Sequence, residues 1–120
     1  MVEIERRKYP RLNFNVEVVY KKIGRKDAVQ SSAHSKNIGA GGICIVFLEK
    51  MEVDDHLSLR FSLPDDNEDV LTAKGVVVWV EEYSVGGLST STAYDSGIEF
   101  TDISDEDKDK INKFVRLGLM

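Results

Sequence analysis

The feature that most constrains the fold is a period-two alternation of apolar and polar residues that recurs along much of the chain. Such alternation indicates strands with one buried face and one exposed face. It marks segments 14–21 and 57–63, and further strand candidates lie over 70–82 and 92–100, over an apolar run at 43–48 and, more weakly, over 28–36. Because no helical pattern separates these segments, a fold of alternating strands and helices is excluded.

The end of the chain changes period. Ile111, Phe114 and Val115 form an apolar stripe at helical spacing. Ser104 suits the N-cap, acidic residues follow it in the first turn, and Gly118 is placed to end the helix. Six strands and one helix predict an all-β-dominated fold, an antiparallel barrel or sandwich capped by a C-terminal α-helix.

The segment 70–82 is apolar on both faces. Val76, Val78 and Val80 alternate there with Val77 and Trp79. A central strand covered on its outer side has this pattern. We therefore expect this outer face to be covered, and a Gly/Ser loop to follow over 83–90.

The chain has 120 residues, of which 42% are apolar and 31% charged, as a single folded domain requires. It contains no apolar run long enough to cross a bilayer, and its first residues do not resemble a signal peptide. Cys44 is the one cysteine, which excludes an intrachain disulfide, and its apolar neighbours predict a buried core residue. These features predict a cytoplasmic protein without membrane insertion.

Charge is unevenly distributed along the chain. Residues 1–36 contain nine Lys or Arg and four Asp or Glu, a net +5, whereas the remainder contains seven and 17, a net −10. A basic end attracts an anion, and the acidic remainder repels long nucleic acid. Charge therefore favours a small anionic ligand over nucleic acid, although a solvated surface with uneven charge is the simpler explanation.

Two short motifs suggest what that ligand is. Arg7 and Arg11 are four residues apart, roughly 13 Å in an extended chain, so their side chains can converge on one ligand or flank it. A guanidinium binds phosphate bidentately, bonds O6 and N7 of guanine, or stacks on a purine. Taken alone, the spacing is equally consistent with a solvated basic arm.

The second motif is Asn37 followed by a glycine-rich turn containing Gly39, Gly41 and Gly42. The amide of Asn37 can bond a guanine edge, and glycines permit positive φ and close approach of backbone N–H groups to an anion. A tight turn or bulge is the simpler interpretation. A dinucleotide-binding fingerprint is excluded, because that turn must open a helix and an apolar strand follows here.

In this order, the motifs resemble the R-x-x-x-R and [DN]-x-S-x-x-G signature of the PilZ domain, a bacterial module that binds cyclic di-GMP. The likeness continues through segments 75–80 and 97–107, and extends from Arg6 to about Val115. It implies a six-stranded antiparallel β-barrel. It also implies that Arg7 and Arg11 clamp phosphates and guanine while Asn37, Gly39 and Gly42 contact the rest of the ligand.

Gly39 departs from the signature, which has serine at that position. Losing one hydrogen bond costs roughly 0.5–1.5 kcal/mol, and up to about 3 kcal/mol with a charged partner. We therefore expect weakened rather than abolished binding.

The resulting hypothesis is a cyclic di-GMP receptor that signals to an unidentified protein partner in motility, biofilm or exopolysaccharide regulation. Residues 1–13 are expected to form a basic arm and residues 14–120 the barrel with its helix. Homo-oligomers remain compatible with the sequence. The alternative is a PilZ-like interaction module with weak or no ligand binding, because of Gly39. His34, His56 and the run 54–56 form no catalytic or metal-binding pattern, so we expect no enzyme, cofactor or metal.

Overall fold

The computed structural model describes residues 9–64, 69–86 and 91–120. Arg6, Arg7 and Lys8 lie outside these ranges, as does part of the loop predicted over 83–90. In the described ranges the chain forms seven strands and one helix. They are β1 (Arg11–Asn13), β2 (Glu17–Lys22), β3 (Ser31–Gly39), β4 (Gly42–Phe47), β5 (His56–Ser62), β6 (Val70–Val85), β7 (Ser91–Ile103) and α1 (Asp105–Leu119).

Six of the strands close into an antiparallel barrel in the order β3-β2-β5-β6-β7-β4, with β4 pairing back onto β3. The predicted six-stranded barrel with a C-terminal helix is therefore confirmed. β1 is an additional strand that pairs with the end of β3, beyond the part of β3 that pairs with β2. It lies in the segment expected to be an extended arm. A strand of three residues is too short to be recognised from a period-two pattern.

Several strand boundaries differ from those predicted. β2 begins at Glu17 rather than at residue 14, because the preceding residues are held by the buried side chain of Ser35. Its hydroxyl accepts a hydrogen bond from the Val16 amide at 2.8 Å and donates one to the Phe14 carbonyl at 2.6 Å. β3 lies three residues later than expected, and β6 continues to Val85 into the predicted loop.

The prediction that the outer face of β6 is covered is wrong for the central residues of this strand. Val77 pairs with Ile98 and Trp79 pairs with Gly97, which leaves Val78 as an extra residue. Such a bulge interrupts the alternation of faces. The side chains of Val78 and Trp79 are consequently 44% and 41% exposed.

The core fills the barrel interior and extends to one face of α1. Ile111 and Val115 are fully buried, which confirms the predicted apolar stripe. Ser104 is the N-cap, and its side chain accepts the Asp107 amide at 3.1 Å. Gly118 does not end the helix, which runs to Leu119. A Cβ on Gly118 would collide with the side chain of Leu12, so this glycine permits close packing of the N-terminal segment.

No helix in the part of the chain that the structure describes is long and apolar enough to cross a bilayer.

Candidate functional site

The glycine turn (Gly39–Gly42) joins β3 to β4 as a tight hairpin. Gly39 pairs with Gly42, and Ala40 and Gly41 form the connection. None of these glycines has a positive φ, in contrast to Gly24 and Gly86. Left-handed backbone conformation therefore does not explain the glycines of this turn, and close packing does.

The covering segment (Tyr9–Arg11) lies across the glycine turn. A Cβ built on Gly39 would lie 2.6 Å from the Pro10 carbonyl oxygen and 3.0 Å from Cγ of Arg11. On Gly41 it would lie 3.2 Å from the Tyr9 ring. The absence of side chains on the turn is what lets the covering segment pack directly onto its backbone.

Arg11 and Asn37 meet beside this turn. β1 aligns Arg11 with Gly39, and Nη1 of Arg11 donates to Oδ1 of Asn37 at 3.4 Å. Nη2 of the same guanidinium is 3.4 Å from the Cβ position of Gly42. The structure thus brings together four of the five predicted ligand-binding residues; the fifth, Arg7, lies outside the described residues. Their role in binding stays a prediction.

A row of paired residues extends this site across the outer wall of the barrel. Asn37 pairs with Cys44, Cys44 with Gly97, and Gly97 with Trp79. Directly paired residues share a face of a sheet, and a side chain on Gly97 is excluded by the indole of Trp79. An exposed aromatic ring on β6 therefore lies in the same row as Asn37, with β4 and β7 between them.

Cys44 is only 2% exposed, which confirms its predicted burial. Burial raises the pKa of its thiol, and the nearby Asp95 carboxylate raises it further, whereas Lys36 and Arg11 act in the opposite direction. A thiol held protonated in this way is a poor nucleophile at neutral pH.

Beside Asn37 lies a polar cluster that the sequence did not predict, formed by Lys36, Tyr83 and Asp95. Nζ of Lys36 donates to Oδ2 of Asp95 at 2.6 Å, and the Tyr83 hydroxyl donates to Oδ1 at 3.0 Å. The bond to Asp95 raises the pKa of Lys36. Desolvation and, secondly, the bond to Asp95 raise the pKa of Tyr83. These residues come from three strands, so no local sequence pattern could have revealed them.

The run 54–56 contains two acidic residues and a histidine. No group of three His, Cys, Asp or Glu side chains among the described residues is arranged to hold a metal ion. Asp55 instead lies 3.8 Å from Nζ of Lys22 and 3.4 Å from Nη2 of Arg25.

A comparison with protein families matches residues 5–117 to the PilZ domain model. The chain belongs to the PilZ domain family. The match covers both motifs, the whole barrel and most of α1. No match was found among curated protein sequences.

Solved structures share this PilZ fold. The Bacillus subtilis inhibitor of motility MotI/DgrA superposes with a TM-score of 0.74 at 21% identity, covering 97% of this chain and 53% of that one. The PilZ domain of Escherichia coli YcgR with c-di-GMP has a TM-score of 0.69 at 12% identity, covering 94% of this chain and 91% of that one. The c-di-GMP complex of K. pneumonia MrkH has a TM-score of 0.65 at 18% identity, covering 97% of this chain and 52% of that one. The chain thus spans about half the length of MotI and of MrkH.

Proposed function

We propose that this PilZ protein binds cyclic di-GMP at the glycine turn and passes the signal to a partner protein. The observation that carries the proposal is the convergence of Arg11, Asn37 and the backbone of Gly39 and Gly42 on one patch of the outer wall. The family membership and the neighbours solved with c-di-GMP support it.

The chemistry of the patch suits a bis-guanine dinucleotide. The Arg11 guanidinium is a permanent cation with forked donors for a phosphate or a guanine edge. The Asn37 amide offers one donor group and one acceptor for the same base, and the exposed Trp79 indole offers a stacking surface. Arg7 is proposed to complete the clamp from the segment that precedes β1.

Transmission to a partner is proposed to run through the N-terminal segment and α1. Nζ of Lys108 lies 5.8 Å from the centroid of the Tyr9 ring, and Phe14 packs edge-to-face on Phe114 at 5.0 Å. A ligand that draws Arg11 away from Asn37 would also disturb these contacts. Residues 1–13 would then act as the ligand-responsive arm of the domain, with motility, biofilm or exopolysaccharide control as the output.

Isothermal titration calorimetry with cyclic di-GMP tests the proposal. Arg11→Ala is expected to lose roughly tenfold or more in affinity, since a hydrogen bond from a charged group contributes about 1.5–3 kcal/mol. Asn37→Ala is expected to lose affinity as well. Arg60→Ala removes the same side chain from the exposed face of β5 and is the matched control. No measurable binding by the wild type, or equal affinity in all variants, contradicts the proposal.

One observation favours a second candidate, an interaction module that no longer responds to the ligand. The Pro10 carbonyl occupies the space that a side chain at position 39 would take. If the covering segment never leaves the turn, partner capture will be the same with and without cyclic di-GMP. A pull-down performed under both conditions distinguishes the two functions.

A further inference from the structure

Lys36 is the extra residue of a β-bulge in β3. Ser35 pairs with Ile45 and Asn37 pairs with Cys44, so Lys36 has no partner on β4. In an uninterrupted strand, Asn37 would share the inward face of buried Ser35. The bulge instead places Asn37 on the face of Arg11, and it therefore determines whether Asn37 belongs to the site at all.

Asp95 holds this bulge from β7. Its side chain is only 7% exposed, yet it makes a 2.6 Å ion pair with Lys36 and accepts the Tyr83 hydroxyl. The backbone carbonyl of Lys36 also accepts the Phe14 amide at 3.2 Å. The bulge is thus fixed by its side chain to β7 and by its backbone to the segment that follows β1.

We propose that Asp95 is a positioning residue of the cyclic di-GMP site: by holding Lys36 in the bulge, it sets the orientation of Asn37 towards Arg11. Tyr83 supports this role by fixing the carboxylate of Asp95. The predicted effect of Asp95 on affinity rests on the proposed function. The predicted effect of Asp95 on the orientation of Asn37 concerns the free protein and does not depend on any ligand.

A buried carboxylate is the appropriate group for this task. The Lys36 side chain is itself 58% exposed, so its ammonium stays hydrated, but the 7%-exposed carboxylate of Asp95 would be left without its cation if Lys36 moved away. The 3.4 Å bond between Arg11 and Asn37 is too long to fix the amide on its own. The backbone path, which the bulge changes, decides the face of the sheet on which Asn37 lies.

The test combines NMR of the free protein with titration calorimetry. Asp95→Asn is expected to shift the Asn37 side-chain NH₂ resonances and to weaken cyclic di-GMP binding about tenfold, the effect of losing one charge-assisted contact. Tyr83→Phe is expected to act in the same direction to a smaller extent. Lys36→Arg retains the ion pair and is expected to restore most of the affinity lost in Lys36→Met.

Salt dependence separates positioning from a simple charge effect. If Lys36 only attracted the phosphates, the loss in Lys36→Met would disappear at high salt; a displaced Asn37 weakens binding at low and high salt alike. Lys110→Met is the matched control, because it removes one lysine, on α1, and its 2.8 Å ion pair with Asp69. It is expected to change neither the Asn37 signals nor the affinity.

Unmoved Asn37 signals or an unchanged affinity in Asp95→Asn would overturn the inference. If that variant does not fold, Lys36→Met and Tyr83→Phe decide by the same measurements. If the wild type binds no cyclic di-GMP, the proposed function fails, and the NMR comparison alone decides whether Asp95 orients Asn37.

Discussion

Replacing Gly39 by serine, the residue usual at this position in PilZ domains, tests how the site is built. The new Cβ would lie 2.6 Å from the Pro10 carbonyl oxygen and 3.0 Å from Cγ of Arg11. The first contact is shorter than Cβ atoms adopt in proteins and is with backbone, whereas the second is tight but can be relieved by a small shift of the Arg11 side chain. We therefore expect Gly39→Ser to displace the covering segment rather than simply to add a hydroxyl.

The magnitude follows from two opposing effects. Forcing extra atoms into a packed site costs roughly 1–3 kcal/mol. A new hydroxyl contributes at most about 0.5–1.5 kcal/mol through one hydrogen bond, and water competes for that bond when no ligand is bound. The free energy of unfolding should therefore fall by about 1–2 kcal/mol, which corresponds to a decrease in Tm of roughly 3–8 °C for a domain of this size.

Urea unfolding and hydrogen exchange of the β1 amides measure the effect. Gly39→Ala is the matched control, because it adds the same Cβ without the hydroxyl. Both variants should be destabilised to a similar extent, with faster exchange at Leu12 and Asn13. In the ligand-bound state, serine should bind cyclic di-GMP about 3- to 10-fold more tightly than alanine if its hydroxyl contacts the ligand.

A Gly39→Ser variant as stable as the wild type, with unchanged exchange in β1, would refute this reasoning. It would mean that the covering segment does not pack on Gly39 in solution. Equal affinities of the serine and alanine variants would separately show that the hydroxyl makes no ligand contact.

Three further predictions concern stability. Gly118→Ala should not yield the stabilisation of about 1 kcal/mol usual for a helix interior, because its Cβ would collide with Leu12, and the gain should appear in a Leu12→Ala background, as measured by urea unfolding. Ser104→Ala should lower the free energy of unfolding by about 1 kcal/mol through loss of the N-cap, with reduced helicity by circular dichroism. Burial, and next the bond to Glu49, raise the pKa of the Tyr20 hydroxyl above its usual value of 10.0, so the folded state keeps this proton to higher pH than the unfolded state. The contribution of Tyr20 to the free energy of unfolding should be fully present below pH 10.0 and decrease above it. Unfolding measured on either side of that pH should show a smaller decrease in Tyr20→Phe than in the wild type.

The barrel and its helix were predictable from sequence because apolar residues recur at regular spacing, every second residue in strands and at helical spacing in α1. Strands with one face in the core alternate strictly, as residues 56–62 do in β5, and the helical stripe of Ile111 and Val115 is equally regular. Burial of Cys44 was predictable for a different reason, since a single Cys in an apolar strand is normally buried.

The assembly of the site was less accessible, because it depends on two bulges and one very short strand. Each bulge inserts one residue and so moves the next side chain to the opposite face of the sheet, with no change in the local composition. Lys36 is the inserted residue before Asn37, and Val78 is the inserted residue before Trp79. β1 has only three residues and owes its position to pairing with β3. Sequence therefore predicted which residues form the candidate site but not the contacts that orient them.

The departure at Gly39 has a different meaning once the structure is known. From the sequence, glycine at this position only removes a hydroxyl from the ligand. In the structure it also provides the space in which the Pro10 carbonyl packs, and so permits β1 to pair across the turn in the absence of ligand. If cyclic di-GMP needs that space, part of its binding free energy must be used to move the covering segment, and the measured affinity will underestimate the strength of its contacts. The same displacement would release Tyr9 from Lys108 on α1, so the cost of binding and the signal to a partner would arise from one movement.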